Sequence, residues 1–537
     1  MSAEEDPPPP FGAEMLEEKD DAGARALAVE AGIRWVRGIR LSWASIEPDA
    51  PENGAHTYHW SGYLDSLFDE LLTAGFTPIV TIQTSPQWAV EDMPLVDHDD
   101  NPNTPPIHLN CGPIDEEDLD DFAEFLQALV NRYKPGGELA QQLGWPEGVG
   151  IQYWELYNEP DLNPAQTDPQ LALWFGACWG GDADDDGVAD SKEYADMLKA
   201  AYPAIKSADP GAQVLIGGLA YDSFYNRPDP QPGCPNYSSN FFNYYFLDGV
   251  LANDGGNYFD FMNFHYHRRA APCWSAWGVE TIGKATYLRN KLSDYGVNKP
   301  FMCTEDGEKR YDPAHPDWYS DEGQSRYVVI SLTRAMAADL KSLIWFTFGY
   351  FKDNLNREWG LLDEQRNPRP AYYAYKTLTS ELTGAEYDHP LSISGIEGYV
   401  FSLPGGQEKT TLWATGSTTS ISFSGSQLRV VDKFGDPAFP TCGSIIYDGS
   451  PCDQDSRTNW VGIQVTASPI YVSPCFLFGD FDCDCEVGVD DIMQIAGHWR
   501  CNCGDDCYED RFDIDDDCDI DIVDIMLVAA RWGETCQ

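Results

Sequence analysis

Between about residues 10 and 383, eight short runs rich in β-branched and aromatic residues alternate with longer stretches that carry apolar residues at helical spacing. Such alternation makes the strands parallel, because each crossover is a helix that brings the chain back to start the next strand in the same direction. The strand runs lie near Phe11–Glu14, Ile33–Arg37, Thr77–Gln83, Ile151–Tyr157, Gln213–Leu219, Phe259–His265, Pro300–Thr304 and Ser342–Phe346. Helices are expected over Asp21–Gly32, Tyr63–Gly75, Glu117–Tyr133, Glu193–Ala208, Thr281–Tyr295 and Ser325–Asp339. Eight such units close a sheet on itself, so the expected fold class is α/β, with a (β/α)8 TIM barrel over residues 10–383. In that architecture the loops after the strands build one face, and reactive groups gather at strand carboxyl ends.

The chain is long enough, at 537 residues, for one large domain and appendages. Its 34 Lys and Arg against 88 Asp and Glu leave a formal charge of -54, which argues against binding nucleic-acid phosphates or acidic membrane surfaces. Fifteen cysteines exceed what a reducing cytosol tolerates, and eight of them fall between Cys475 and Cys536, so a secreted or cell-surface location is expected. Cys442 and Cys452 are placed to close a small loop, and Cys303 reads as a buried free thiol within an apolar strand. No run has the length and apolarity of a membrane helix, and Met1–Pro10 does not have the composition of a secretory signal.

Residues 384–474 change character to alternating Thr, Ser, Val, Ile and Tyr with frequent glycine, the pattern of a small β-sandwich. Residues 475–537 then repeat with a period of 33: Asp480 corresponds to Asp513, Asp484 to Asp517, Asp491 to Asp524 and Trp499 to Trp532. Each copy supplies oxygens for a hard cation such as Ca2+, from Asp480, Asp482, Asp484, Glu486 and Asp491 in the first and Asp513, Asp515, Asp517, Asp519 and Asp524 in the second, followed by an apolar helix. This duplicated module resembles a dockerin, which implies a cohesin-type scaffold protein as partner. It departs from the pattern at the sixth loop position, where glycine is usual and Cys485 and Cys518 stand instead, and at the recognition pair, which is Val489-Asp490 and Ile522-Val523. A third loop within the barrel sequence, with Asp182, Asp184, Asp186, Gly187, Val188, Asp190 and Glu193 at positions 1, 3, 5, 6, 7, 9 and 12, keeps the glycine and ends in a potentially bidentate glutamate. It reads as a structural Ca2+ site, with no cofactor needed for catalysis.

Two strand ends carry the chemistry. Tyr157-Asn158-Glu159-Pro160 follows the fourth strand run, and Thr304-Glu305-Asp306-Gly307 the seventh. Two carboxyl groups, one protonated and one ionised, are what glycosidic cleavage with retention requires. The order, Asn-Glu-Pro after strand four and a lone Glu after strand seven, resembles clan A of the retaining glycoside hydrolases. The run Ala31–Arg37 and the later Ile46-Glu47-Pro48 lean toward the family of β-xylosidases and α-L-iduronidases. The resemblance implies Glu159 as acid/base and Glu305 as nucleophile, with Asn158 on the sugar 2-hydroxyl. It further implies Arg37, with Arg40 competing, as the partner of the nucleophile, His265 and then Tyr266 around it, and Trp345 as the floor of the sugar site. Trp88, after strand three, is a further candidate for the cleft wall. Glu155 and Glu47 are weaker carboxylate rivals, one mid-strand and one in a loop. The expected activity is hydrolysis of plant or algal polysaccharides or their oligomers. A non-catalytic carbohydrate-binding protein, a calcium-dependent surface or scaffold protein and an inverting enzyme are the alternatives.

Overall fold

The computed structural model describes residues 9–97, 104–163, 178–220, 224–225, 234, 242–404, 406–475, 477–515 and 517–535. The chain forms two compact units, Met1–Tyr372 and Tyr373–Gln537.

The first unit is built on eight parallel strands: β1 (Phe11–Glu14), β2 (Trp35–Ser42), β3 (Thr77–Gln83), β4 (Tyr153–Asn158), β5 (Gln213–Gly218), β6 (Met262–His267), β7 (Phe301–Gly307) and β8 (Leu340–Trp345). They pair in the order β6-β7-β8-β1-β2-β3-β4-β5. Isolated parallel bridges, Leu215 with Phe261 and Leu219 with Phe264, join β5 to the β6 side and close the circle. The helices that follow the strands include α1 (Ala22–Glu30), α2 (Gly62–Thr73), α3 (Leu119–Tyr133), α4 (Asp190–Ala208), α5 (Phe246–Ala252), α6 (Glu280–Asp294) and α7 (Asp321–Ala337), with α8 (Pro370–Leu382) after β8.

Two strands, β2 and β7, outrun their sequence patterns by the most, for local reasons. β2 was expected to stop at Arg37 but continues to Ser42 after a register shift between Val36 and Ile39. Gly38 makes the shift at φ +100°, and a Cβ there would lie 2.4 Å from the Met15 carbonyl oxygen. β7 continues past Thr304 to Gly307, with its pairing to β8 irregular between Cys303 and Asp306, so Glu305 sits at a kink within the strand.

One end of the barrel interior is apolar. Trp35, Ile79, Leu215, Phe261, Met302 and Ile344 pack as one buried cluster, with Tyr153 set edge-on to Trp35 at 4.7 Å. Inward residues alternate along a strand. The next inward residues up β3 and β4, Thr81 and Glu155, are therefore neighbours in register and belong to a polar layer above that plug.

In the second unit, β9 (Glu386–Pro390), β10 (Ile396–Ser402), β11 (Glu408–Ala414), β13 (Gln427–Asp432), β14 (Ile445–Tyr447) and β16 (Ile470–Pro474) form a six-stranded sheet, and β12 (Thr419–Ser424) pairs with β15 (Trp460–Val465). Their inner faces share one core, including Leu412, Val430, Val461, Ile463 and Val472. The tail carries α9 (Val489–Gly497) and α10 (Ile522–Ala529) and has its own small core of Phe481, Val487, Ile495, Phe512, Ile520 and Val528. It is tied to the sheet region by the Cys475–Cys483 disulfide and by Gln427 Nε2 donating to the Asp480 carbonyl at 2.7 Å. Cys442 and Cys452 are bonded, and Cys303 is a buried free thiol. Cys111–Cys178, Cys234–Cys273, Cys501–Cys507 and Cys503–Cys518 are also paired, while Cys536 lies outside the described residues. No described helix is long and apolar enough to cross a membrane.

Candidate active site

The polar layer is organised by Arg37. Its guanidinium is fully buried and contacts three carboxylates: Nε donates to Glu155 at 2.9 Å, Nη1 to Glu14 at 3.1 Å, and Nη1 lies 3.8 Å from Glu305. Nη2 donates to the Asn158 side-chain oxygen. Burial opposes the charge, but Glu155, Glu14 and Glu305 more than offset it and raise the pKa further. Glu155 is the base of this layer. It accepts from Arg37, Thr81 Oγ1 and Asn263 Nδ2, with Thr304 Oγ1 at 3.2 Å. Burial again works against ionisation, and Arg37 leads the contacts that hold Glu155 below the usual carboxylate range. Glu155 is thus a structural counter-ion. Glu47 is equally buried but occupied by Trp43 Nε1 at 2.9 Å and the His56 ring at 2.7 Å.

Glu159 and Glu305 stand above this layer. Backbone geometry aims Glu159: Tyr157 and Glu159 both take left-handed conformations, φ +64° and +50°, and the Glu159 N–H donates to the Gly218 carbonyl at 3.1 Å. A non-glycine residue held there costs about 1–3 kcal/mol, which the surrounding barrel must supply. The two carboxyls and the His265 ring each offer an atom within 4.8 Å of the others. His265 Nδ1 is 2.9 Å from Glu159 and 3.6 Å from Glu305, so it bridges the pair and sits nearer the acid/base candidate than the nucleophile.

Burial raises both carboxyls. Burial pushes Glu159 up to about 7; burial, then Glu14 and Glu159, push Glu305 well above the carboxylate range. Near neutrality the pair therefore keeps a proton. Their contacts differ: Glu159 Oε2 is buried without a hydrogen-bond partner, whereas Glu305 faces Arg37 at 3.8 Å and His267 Nε2 at 3.6 Å. Burial and then Arg37 hold the His265 imidazole well below its ordinary value, so it is neutral, and its Nδ1 is hydrogen-bonded to Glu159.

The remaining expected residues divide between the site and the wall behind it. Asn158 is buried beside Arg37. Trp88 is half-buried, edge-on to Trp43 at 5.3 Å, with its Nε1 donating to the Glu47 carbonyl. Tyr266 is fully buried and lies between His265 and His267, so strand alternation turns it to the other face; it is His267 that reaches Glu305. Trp345 is fully buried with its ring 6.0 Å from Tyr327 of α7, behind the barrel wall. The next residue, Phe346, lines a cavity of about 390 Å3 together with Glu14, Lys19, Arg40, Tyr63 and Phe351. Glu14, His267 and Phe346 were missed by sequence reasoning. Only His267 had a signal there, being two residues from His265 on one strand.

The acidic loops form hard-oxygen clusters. Asp182, Asp184 and Asp190 converge, as do Asp184, Asp186 and Glu193. Asp190, at the start of α4, is buried and accepts from the Ala183 N–H at 3.0 Å, and Glu193 Oε2 is a buried atom without a hydrogen-bond partner. Burial and the crowding of acids push Asp190 up to about 7 and Glu193 to about 8. The donor set and the orphaned Glu193 oxygen fit a divalent hard cation, with the Val188 carbonyl available at position 7. In the tail, Asp480, Asp482 and Asp491 converge. Asp480 accepts from Asp484 and Cys485 N–H groups, and Asp513 from those of Asp517 and Cys518, so the two copies fold alike. Cys485 and Cys518 take the left-handed conformation, φ +71° and +73°, that glycine provides in the usual loop. Glu486 and Asp519 follow at position 7, and Asp524 accepts from the N–H of Asp521, the N-cap of α10, while Asp515 lies on the loop.

No protein-family model matches the chain, and no curated protein matches it. Among solved structures, a family 39 glycoside hydrolase from the gut symbiont Bacteroides cellulosilyticus WH2 is similar over 87% of this chain and 80% of that one, with a TM-score of 0.58 and 19% identity. A glucosidase from Croceicoccus marinus matches over 86% of this chain and 95% of that one, with a TM-score of 0.50 and 13% identity. At these identities the likeness is one of fold.

Proposed function

We propose that the chain is a retaining O-glycoside hydrolase acting on plant or algal polysaccharides or their oligomers, with Glu159 as acid/base and Glu305 as nucleophile. The observation that carries this reading is the buried pair itself: two glutamates with oxygens within 4.8 Å of one another, one beside an arginine and one with an unpartnered oxygen. Retaining enzymes hold their two carboxyl groups about 5–5.5 Å apart and inverting ones about 6.5–9.5 Å, and an approach of the nearest oxygens to within 4.8 Å is compatible with the former.

Glu305 attacks the anomeric carbon as Glu159 gives its proton to the departing glycosidic oxygen; the C–O bond breaks and a glycosyl ester forms on Glu305. Glu159, now a carboxylate, takes a proton from water, whose oxygen displaces Glu305 and releases the sugar. Esterification removes the Glu305 charge, so the same residue can be acid first and base second. Arg37 keeps Glu305 ionised, and neutral His265 steadies the carboxylate form of Glu159. The cavity beside Glu14 and Arg40, with Phe346, Phe351 and Tyr63 as apolar walls, suits a sugar ring.

The reading extends to the appendages. The loop at 182–193 binds structural Ca2+, as do both tail loops, and the tail keeps exposed apolar residues at equivalent places in α9 and α10, Val489 with Ile522 and Met493 with Met526, for a scaffold partner of cohesin type. Six disulfides among the described residues support an extracellular location. The test is reducing-sugar release from a panel of plant and algal polysaccharides and aryl glycosides by wild type, Glu159→Gln and Glu305→Gln. Hydrolysis by wild type that both substitutions abolish supports the assignment; undiminished hydrolysis by Glu305→Gln removes the nucleophile.

A further inference from the structure

Trp318 is 73% exposed, more than any other large apolar side chain among the described residues. Leaving an indole in water forgoes a large burial gain, and a loose side chain would fold back onto the surface. Trp318 is instead held. Its ring stacks on His315 at 4.1 Å and 11°, which fixes the plane and leaves the opposite face open. The turn beneath is rigid: the Trp318 N–H donates to the His315 carbonyl at 3.1 Å, the His315 N–H to the Asp312 carbonyl at 3.0 Å, and the Asp312 carboxylate accepts from the Ala314 N–H and from Lys309 Nζ at 2.7 Å.

This turn lies in the loop that leaves β7, the strand bearing Glu305, and so on the face where the reactive groups gather. The loop is continuous with the sugar-sized cavity. Tyr311 bridges Glu358, with main-chain hydrogen bonds of 3.0 Å from Arg310 to Glu358 and from Glu358 to Tyr311. Glu358–Trp359 pairs with Phe351–Lys352, and Phe351 and Phe346, both edge-packed with one another, line that cavity.

We infer that Trp318 is a sugar-stacking platform, an outer subsite that holds a ring of the glycan chain at a distance from the cleaved bond. A flat apolar face pinned by a stacked histidine binds the apolar face of a pyranose with little loss of side-chain freedom, because the ordering has already been done by the protein. The occupant is the continuation of the substrate chain, since the platform shares a hydrogen-bonded loop system with the cavity beside Glu14 and Arg40. The inference rests on the glycosidase reading.

Two measurements separate it from that reading. The first is affinity electrophoresis of the full-length protein through gels cast with soluble xylan, mixed-linkage β-glucan, laminarin or alginate, which needs no turnover. Wild type is retarded by at least one polymer, Trp318→Ala loses most of that retardation, and Trp318→Phe restores much of it. The second compares steady-state constants on whichever polymer is hydrolysed with those on an aryl monoglycoside. Trp318→Ala raises KM for the polymer by about three- to tenfold, leaves kcat within twofold, and leaves both constants for the aryl glycoside unchanged. Retardation of Trp318→Ala equal to wild type in every gel overturns the platform, as does a wild type retarded by none or an equal loss on polymer and aryl glycoside. Loss of retardation in a protein that hydrolyses nothing upholds the platform and sinks the glycosidase.

Discussion

Replacing His265 with leucine tests the proton assignment at the centre of the site. In the proposed mechanism neutral His265 donates from Nδ1, 2.9 Å from Glu159, and the other oxygen of that carboxyl, Oε2, is buried and unpartnered. A hydrogen bond to an ionised group contributes about 1.5–3 kcal/mol. Removing it costs the carboxylate form that much and spares the acid form, which raises the Glu159 pKa by about 1–2 units. Because burial already places Glu159 at about 7, the alkaline limb of kcat/KM moves from near pH 7 to about pH 8–9. Leucine approximates the imidazole in volume, and a thermal melt checks that the barrel is intact. The assay is the pH dependence of kcat/KM on a good aryl glycoside, from pH 4 to 10. A limb that stays in place, or moves toward acid, refutes the reasoning: the second result would mean that Glu159 donates to His265 rather than accepting from it.

Asp306 gives a stability prediction. It is buried, accepts from Ser331, Tyr327 and Thr281, and is raised by burial to about 7 from an ordinary value of 3.8. A raised folded pKa means the folded state binds the proton more tightly, so the stabilisation is full below pH 4 and disappears as pH rises to 7; over that window Asp306→Asn flattens a loss of order 4 kcal/mol, read as the pH dependence of Tm. Chelating calcium with EGTA lowers Tm at pH 7, and Asp182→Ala together with Glu193→Gln removes that sensitivity from the barrel transition in calorimetry. Replacing Cys111 and Cys178 with serine opens a link between residues 67 apart and lowers stability by about 4 kcal/mol, a marked fall in Tm by circular dichroism.

The strands and helices were largely legible because each depends on near neighbours in the chain. Thr77–Gln83 and Phe11–Glu14 form over the ranges their residues predict, while β2 and β7 run on where a glycine shift and a kink continue pairing that periodicity alone does not register. The clustering of acidic side chains was legible for the same reason, since those carboxylates fall within a dozen residues of one another. Trp345 shows the opposite case. It satisfies every local expectation for the eighth strand, yet register turns it toward α7 and leaves Phe346 at the cavity.

By itself, then, the sequence determined the eight-unit barrel, the two glutamates that leave strands four and seven, and the duplicated acidic tail, all set by periodicities of two, 3.6 and 33 residues. Only the tertiary structure decided what those glutamates meet. Arg37 joins Glu155 across 118 residues and Asn158 across 121, and His265 reaches Glu159 across 106. Glu14 and His267 enter the site for the same reason. Those contacts arise when the barrel closes and brings the inward positions of different strands to one level, and the resulting burial is what keeps a proton on the Glu159–Glu305 pair.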